Sequence, residues 1–361
     1  MTSSSTGPSE IGPQPPENGE RRKSLPLGPQ LAAEARQAWT SYDPAARRTA
    51  LAGPLSVQIQ TVTGCNGRCV MCPMTEREDR PGAHTMDESL YVAILERLRG
   101  AGTVRILAPM LQCEPLLDPH LATRVRQARQ ILGPQVVIWV TTNGALLTPE
   151  RAGDLASAGV DVMEVSLDAA SQETYGAIRQ RLDFSKIVAN TEALLARPGR
   201  MQVALRFTRQ QANAPEEARF VKEWSARGAI VVKMGVTNRC GSVSTFERLA
   251  RSGAAPPERQ ALLAKDLLFR GCLLPFARMH VLYDGRALFC CEDWREECVV
   301  GDLGRQSLDA VWNGEVVNSL RGLIHSGGAG DFEPCRSCSR RPPMNPLAAT
   351  VPRTQSAEER R

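Results

Sequence analysis

No apolar run in the sequence reaches about 18 residues, the length that a membrane-spanning helix requires. The first 30 residues, rich in Pro, Ser, Gly and charge, also lack the apolar stretch of a secretory signal. Lysine and arginine form no block of five, and the formal charge is only +5, which argues against a nucleic-acid partner. We therefore expect a soluble, cytoplasmic protein that binds neither membrane nor nucleic acid and acts on a small molecule or a peptide.

Cysteine, by contrast, is abundant, with eleven in 361 residues. Cytosolic thiols stay reduced, so disulfides explain them poorly and metal binding explains them better. Three of them, Cys65, Cys69 and Cys72, fall within the stretch TGCNGRCVMCPM. Structural zinc takes four protein ligands, so three thiols on one loop would leave its fourth coordination place open. Iron-sulfur clusters are also held by cysteine thiolates.

Strand and helix patterns alternate through the middle of the chain. The first helical pattern begins in a capping box of Thr85 with Glu88 and ends at Gly100. Continuous apolar strands separated by helices predict a parallel sheet that helices cover on its outer face. We expect an α/β protein with a partial (β/α)6 barrel, whose six strands lie within 55–63, 103–109, 135–142, 160–168, 201–208 and 229–236.

Composition divides the chain into further segments. Both ends are too polar and Pro-rich to bury much apolar surface, and six of the eleven cysteines lie in the last structured part. We expect a disordered tail over 1–30, a helix over 31–50 and the barrel over 51–238. A linker with a helix over 239–271, a small cysteine-rich domain over 272–338 and a second disordered tail over 339–361 follow.

The C-x3-C-x2-C spacing of Cys65, Cys69 and Cys72, on a loop after the first strand, resembles the signature of the radical S-adenosylmethionine (SAM) superfamily. The resemblance implies a [4Fe-4S] cluster on these three thiols, with SAM on the fourth iron. Reductive cleavage of SAM would then give a 5′-deoxyadenosyl radical that abstracts a hydrogen atom from the substrate. A zinc knuckle or three unrelated buried cysteines is the alternative.

Segments at the ends of other strands resemble stretches that lie beside SAM in this superfamily. They place Glu114 near the SAM amino group, Asn143 in a neighbouring loop and Ser166 at the ribose. Arg206, on the fifth strand, is expected either to reach the SAM carboxylate or to pair with a carboxylate such as Glu164.

A second set of thiols follows the barrel, with Gly285 in a hairpin turn that brings Cys272 towards Cys290 and a C-x2-C pair, Cys335 and Cys338, further on. Four thiolates can hold zinc or an iron-sulfur cluster, and spacing does not choose between them. The pattern resembles the Twitch domain, a shortened relative of the SPASM domain found behind radical SAM barrels. This resemblance implies one auxiliary [4Fe-4S] cluster on all four thiols, with zinc or another ligand set as the alternative.

The cysteine-rich region also resembles that of dehydrogenases that act on 2-deoxy-scyllo-inosamine in aminoglycoside biosynthesis. The resemblance implies hydrogen abstraction from a carbinol carbon of an aminocyclitol, aminoglycoside or sugar-like intermediate in secondary-metabolite (antibiotic) biosynthesis. The auxiliary cluster would accept the second electron, and a flavodoxin- or ferredoxin-type protein would supply the reducing electron.

Three other functions stay open. An epimerase of the same substrates would need a thiol as hydrogen donor, for which we name Cys240 and Cys298, although a small buried side chain without a chemical role is the simpler explanation of each. Peptide modification is a second possibility, but the single short helix near the N-terminus is too small for the usual leader-binding domain, so sugar-like substrates are preferred. A zinc-binding protein without enzymatic activity is the third.

Overall fold

The computed structural model describes residues 28–43, 51–76, 81–250 and 272–339. Helix α1 spans Gly28–Thr40, so it begins and ends earlier than the expected helix over 31–50. The rest of the predicted N-terminal tail, the predicted tail beyond residue 339 and residues 251–271 of the predicted linker lie outside the described residues.

The six predicted parallel strands are present, and the predicted α/β fold is confirmed. The strands are β1 Ser56–Ile59, β3 Ile106–Ala108, β4 Val137–Thr142, β5 Val162–Ser166, β7 Gln202–Arg209 and β8 Ile230–Gly235. Two short strands, β2 Arg68–Cys69 and β6 Arg179–Gln180, form a separate antiparallel pair. The connecting helices are α2 Glu88–Ala101, α3 Leu121–Leu132, α4 Pro149–Ala158, α5 Gln172–Ile178, α6 Phe184–Ala196 and α7 Glu217–Ala226.

Helix α2 does not begin in the predicted capping box. Its N-cap is Asp87, whose carboxylate accepts a hydrogen bond from the backbone N–H of Leu90 at 3.0 Å. Thr85 instead forms an antiparallel β-bridge with Val62. A carboxylate caps a helix as well as a hydroxyl does, so Asp87 can take over the role when Thr85 is held elsewhere.

The two faces of the barrel sheet differ in polarity. Alternate strand residues such as Val57 and Met163 belong to the main buried cluster together with helix residues such as Ile94. The opposite face lines the barrel interior, which we call the lumen. An apolar cluster that includes Val162 fills the lumen near the amino ends of the strands, and Glu164 and its neighbours make it polar towards the carboxyl ends.

The cysteine-rich region extends the barrel sheet. Helix α8 Phe246–Ala250 follows the barrel, and after the undescribed residues come α9 Leu274–Ala277, β9 Arg278–Val281, β10 Arg286–Leu288, β11 Val299–Asp302, α10 Leu308–Trp312 and α11 Glu315–His325. Strand β9 pairs in parallel with β1, which gives, among the described residues, a nine-stranded sheet of order β11-β10-β9-β1-β3-β4-β5-β7-β8. The region that we predicted as a second domain therefore adds three strands to the barrel sheet beside its first strand.

Helices α1, α10 and α11 pack around the hairpin of β9 and β10. Tyr42 donates a hydrogen bond to the carbonyl of Asn318 at 2.7 Å, and Arg321 donates to the carbonyls of Pro275 and Trp312. Burial lowers the pKa of Arg321 to about 9. Within the described ranges, no helix is long and apolar enough to cross a membrane.

Candidate active site

The loop with the first three cysteines leaves the carboxyl end of β1, which is where parallel α/β proteins place their ligands. Gly64 opens the loop with a φ of 78°, which glycine adopts without strain. Cys69 lies in β2 and pairs with Arg179 of β6, and the N–H of Cys72 donates to the carbonyl of Cys69 at 2.9 Å. Backbone contacts thus fix the loop before any ligand binds.

The three thiols lie near enough to influence one another. Burial raises the pKa of Cys65 and of Cys69 to about 11, and each has a contribution from another thiol of the three. Burial also raises the pKa of Cys72, where Arg239 and Arg179 act in the opposite direction. Three converging thiols with two guanidinium groups beside them fit an anionic thiolate cluster, since the cations offset its negative charge.

Glu114 is 2% exposed and anchors the loop after β3 beside Cys65. Its carboxylate accepts hydrogen bonds from the hydroxyl of Thr142 at 2.6 Å and from the backbone N–H groups of Asn143 and Leu116. The side-chain amide of Asn143 approaches Sγ of Cys65 at 3.7 Å. The structure therefore brings predicted residues Glu114 and Asn143 together with the first thiol site.

The other two predicted SAM contacts lie on the lumen side of the sheet. Ser166 is buried at the end of β5, in register with Arg206 of β7. The guanidinium of Arg206 forms two hydrogen bonds to Glu164, at 2.7 and 2.8 Å, so the alternative of an ion pair is the one observed. Despite burial, Arg206 and the other donors hold the pKa of Glu164 below its ordinary value.

Arg179 is a site residue that the sequence analysis missed. Its guanidinium donates twice to Asp168, at 2.6 and 2.9 Å, and reaches Sγ of Cys69 at 3.6 Å. Asp168 is fully buried and has a positive φ of 61°. A single arginine belongs to no motif with a recognisable spacing, so the sequence does not mark it. Arg179 reaches Cys69 through the pairing of β2 with β6, which joins residues far apart in the sequence.

The four thiols predicted to hold an auxiliary cluster influence one another electrostatically. A hydrogen bond with Cys291 and burial raise the pKa of Cys290, and Cys272 adds to this effect. Cys272 and Cys338 both contribute to the raised pKa of Cys335. Burial is the largest cause at Cys335, whose pKa rises to about 12. These contributions connect the four thiols through neighbouring pairs on three segments, and thiolates so grouped are the ligands that an iron-sulfur cluster takes.

The two cysteines named as hydrogen donors lie beside this second site. Cys240 forms a side-chain hydrogen bond with Cys338, which together with burial raises its pKa well above the ordinary value. The backbone N–H of Cys298 donates to Asp293 at 2.8 Å, and its thiol influences Cys335. Both cysteines are thus neighbours of the predicted auxiliary ligands, and their role as hydrogen donors stays a prediction.

One short segment after β8 links the two thiol sites. Arg239 and Cys240 have φ values of 49° and 51°, a left-handed conformation that costs a non-glycine residue about 1–2 kcal/mol. Arg239 forms an ion pair with the buried Glu292 at 3.1 Å, and Thr237 donates to the same carboxylate at 2.8 Å. These contacts hold Arg239 towards Cys72 while the next residue meets Cys338.

Residues 59–200 match the Radical SAM superfamily, and residues 272–339 match SPASM, an iron-sulfur cluster-binding domain. The chain is thus an enzyme that contains a radical SAM domain followed by an iron-sulfur cluster-binding SPASM domain, as its cysteine spacing predicted. The first domain implies SAM and a [4Fe-4S] cluster, and the second implies auxiliary iron-sulfur binding.

One curated protein and one solved structure are similar to most of this chain. The SAM-dependent 2-deoxy-scyllo-inosamine dehydrogenase of Niallia circulans is 20% identical over 283 residues, which are 78% of this chain and 92% of that protein. BtrN in complex with AdoMet and 2-DOIA shares the fold with a TM-score of 0.52 at 20% identity, covering 79% of this chain and 92% of that one.

A second structural relative has a different ligand. SuiB of Streptococcus suis, bound to precursor peptide SuiA, gives a TM-score of 0.64 at 11% identity, covering 89% of this chain and 79% of that one. At such identities the structural likeness shows the fold alone.

Proposed function

We propose that the chain is a dehydrogenase that oxidises a carbinol carbon of an aminocyclitol, aminoglycoside or sugar-like intermediate. The observation that carries this proposal is the segment of Arg239 and Cys240, two consecutive residues of which one lies near Cys72 and the other contacts Cys338. An auxiliary cluster on Cys338, linked to the first thiol site by this segment, would serve as the electron acceptor of an oxidation. An epimerisation needs no such acceptor.

When bound, SAM and its cluster supply a 5′-deoxyadenosyl radical, and the auxiliary cluster supplies the acceptor of the second electron. In this scheme the substrate loses one hydrogen atom, one hydroxyl proton and one electron, so its carbinol becomes a carbonyl. The residues that would hold the two clusters and SAM are those predicted from the sequence: Cys65, Cys69, Cys72, Cys272, Cys290, Cys335 and Cys338 for the irons, and Glu114, Asn143 and Ser166 for SAM. Glu114 keeps acceptor capacity for an ammonium group, because a carboxylate has about four lone-pair sites and three are used.

The polarity of the lumen supports a hydroxylated or amino-substituted substrate. Trp139 and Thr141 both donate to Glu164 at 2.9 Å, and Arg206 donates to the same carboxylate. Together they form a polar surface above the apolar cluster that includes Val162. Glu164 is satisfied by these donors, and Arg206, whose side chain is 25% exposed, keeps further N–H groups that can orient an oxygen of the substrate. The dehydrogenase of Niallia circulans carries a substrate of this class in its name. A flavodoxin- or ferredoxin-type protein is proposed as the electron donor.

Epimerisation is the second candidate, and the position of Cys291 favours it. This thiol is not one of the proposed cluster ligands, and it lies next to His280 on the lumen face of β9. A thiol there could return a hydrogen atom to a substrate radical. A peptide substrate, as in the SuiB complex, is a third candidate that rests on fold alone.

Product analysis in heavy water separates these reactions. The anaerobically reconstituted enzyme would be incubated with SAM, a reductant and a panel that contains 2-deoxy-scyllo-inosamine, related aminocyclitols and a control peptide. We expect a product lighter by two hydrogens and one SAM consumed for each turnover. A product of unchanged mass number apart from one solvent deuterium on an inverted carbon would overturn dehydrogenation and support the epimerase.

A further inference from the structure

His280 is a fully buried histidine whose hydrogen-bonding capacity is largely unused. Neither ring nitrogen has a hydrogen-bond partner among the residues that the structure describes, and the thiol of Cys291 lies beside the ring. The flanking residues Met279 and Val281 belong to the main buried cluster, so the imidazole lies on the opposite, lumen side of β9.

Gln58 lies directly beside His280. The two residues are paired in the parallel register of β1 and β9, so their side chains share the lumen face. The side-chain oxygen of Gln58 is buried and has no hydrogen-bond partner within the described part of the chain. Gln58 is also one residue from the end of β1, the strand that leads to the Cys65 loop.

Gln112 approaches the same place from the loop after β3. Its amide nitrogen donates to the carbonyl of Asp293 at 2.8 Å, and its side-chain oxygen finds no partner in the described ranges. The residue before it, Leu111, belongs to a buried cluster with Leu282 and Leu288, and Cys291 packs against that cluster. Gln112 thus joins the wall that carries His280.

Three buried polar side chains with unsatisfied hydrogen-bonding atoms at one wall of the lumen lower the stability of the folded protein. An unsatisfied buried donor or acceptor costs about 1–3 kcal/mol, and native structures keep only a few of them. Here the three come from different elements and meet beside the strand end that carries the first thiol site. Two amide oxygens require donors, and an imidazole can both donate and accept.

We propose that Gln58, Gln112 and His280 form the subsite that receives neighbouring hydroxyl and amino groups of the substrate ring. A hydroxyl or ammonium group donates to each amide oxygen, and the imidazole bonds an adjacent hydroxyl. This inference rests on the proposed substrate class and adds the residues that recognise it. It gives these side chains a positioning role and leaves the cluster ligands as assigned above.

The test measures affinity and stability on the same variants. Equilibrium dialysis of 2-deoxy-scyllo-inosamine against the reconstituted, SAM-loaded enzyme should show dissociation constants about tenfold or more higher in His280→Leu, and several-fold higher in Gln58→Leu and Gln112→Leu. Iron content should stay at the wild-type value. The Tm of His280→Leu and of Gln58→Leu should equal or exceed that of the wild type, because each substitution removes a buried group with an unsatisfied atom. Gln112→Leu is assessed by affinity alone, because it also removes the hydrogen bond to the carbonyl of Asp293. Exposed His120→Leu and Gln211→Leu are the matched controls and should change neither quantity.

Two results would overturn the subsite. One is unchanged affinity in all three variants of an enzyme whose wild type binds the probe. The other is a Tm lower by more than about 4 °C in both His280→Leu and Gln58→Leu, which would mark these groups as structural. If the wild type binds no cyclitol, the proposed substrate class is wrong. In that case the subsite is judged by the Tm values of His280→Leu and Gln58→Leu alone. Values equal to or above that of the wild type would support a binding role for another polar ligand.

Discussion

At the scale of residues, the ion pair of Arg179 with Asp168 controls the charge around the first thiol site. Asp168 is fully buried, and it also accepts a hydrogen bond from the backbone N–H of Thr208 at 2.6 Å. Arg179 is 6% exposed and is the cation that reaches Cys69. Breaking a buried pair costs more than the pair contributes, because one charge is left without compensation.

We expect Arg179→Gln to destabilise the protein by about 3–5 kcal/mol, since Asp168 would remain buried without its partner. Urea unfolding of the anaerobically purified protein measures the loss. Arg200→Gln, at an exposed arginine, is the control and should change stability by less than about 0.5 kcal/mol. The double variant Arg179→Gln with Asp168→Asn should regain part of the loss. Wild-type stability in the single variant would contradict this account of the pair.

Two thiols in contact, Cys240 and Cys338, are expected to differ in function. Cys338→Ala should remove the auxiliary cluster and lower iron from about eight to about four atoms per chain, because each [4Fe-4S] cluster carries four. Cys240→Ala should keep about eight, since it removes a neighbour of a ligand. Iron and sulfide assays after anaerobic reconstitution measure both. Loss of four irons in Cys240→Ala alone would show that the ligand set includes Cys240 in place of Cys338.

At the scale of elements, the turn between β9 and β10 determines where Cys290 lies. Gly285 has a φ of 94°, and an added Cβ would lie 3.2 Å from the backbone nitrogen of Gly304 and 3.1 Å from Asp302. A side chain at Gly285 is therefore disfavoured both by the positive φ and by the lack of space for a Cβ atom. A side chain there would push the hairpin away from its neighbours.

Gly285→Ala should destabilise the protein by about 1–3 kcal/mol and lower the yield of the auxiliary cluster, because the hairpin carries Cys290. Gly100→Ala is the matched control: it lies within α2, and an added Cβ there meets nothing within 4 Å. That substitution should raise stability by about 0.5–1 kcal/mol. Thermal unfolding and iron analysis test both variants, and a Gly285→Ala protein as stable as the wild type would refute the steric argument.

The elements show what a sequence can predict. The six barrel strands were predictable because each is a continuous apolar run between turn and helix signals, and the loop of Cys65 was predictable from short-range spacing. The pairing of β9 with β1 joins residues more than 200 positions apart, for which local patterns carry no signal. Arg179 and His280 were missed for the same reason, since only the fold brings each to its thiol neighbour.

At the scale of the whole molecule, the barrel and the SPASM region share one sheet and one core. Met279 and Val281 of β9 and Trp312 of α10 belong to the same buried cluster as the barrel strands. The catalytic unit thus includes both regions, and the two thiol sites are fixed relative to each other by β1 and β9. This continuity supports the proposed transfer of an electron from the substrate radical to the auxiliary cluster.

A chain cut after residue 250 should therefore fail as an isolated barrel. The cut removes the partner of β1 and uncovers Val57 and Ile59, which leaves an apolar edge strand that favours aggregation. We expect most of the truncated protein in the insoluble fraction, and oligomers in size-exclusion chromatography of the remainder. A monomeric truncated protein with a cooperative unfolding transition would show that the barrel is independent of the SPASM region.

The number of iron-sulfur clusters tests the central claim most directly. Iron and sulfide analysis with electron paramagnetic resonance spectroscopy would compare the reconstituted wild type with the variant Cys65→Ala, Cys69→Ala, Cys72→Ala. We predict about eight irons in the wild type, a signal that changes on addition of SAM, and about four irons with a SAM-insensitive signal in the triple variant. Zinc without iron in the wild type, or about four irons that the triple substitution removes entirely, would contradict the proposal of a two-cluster enzyme.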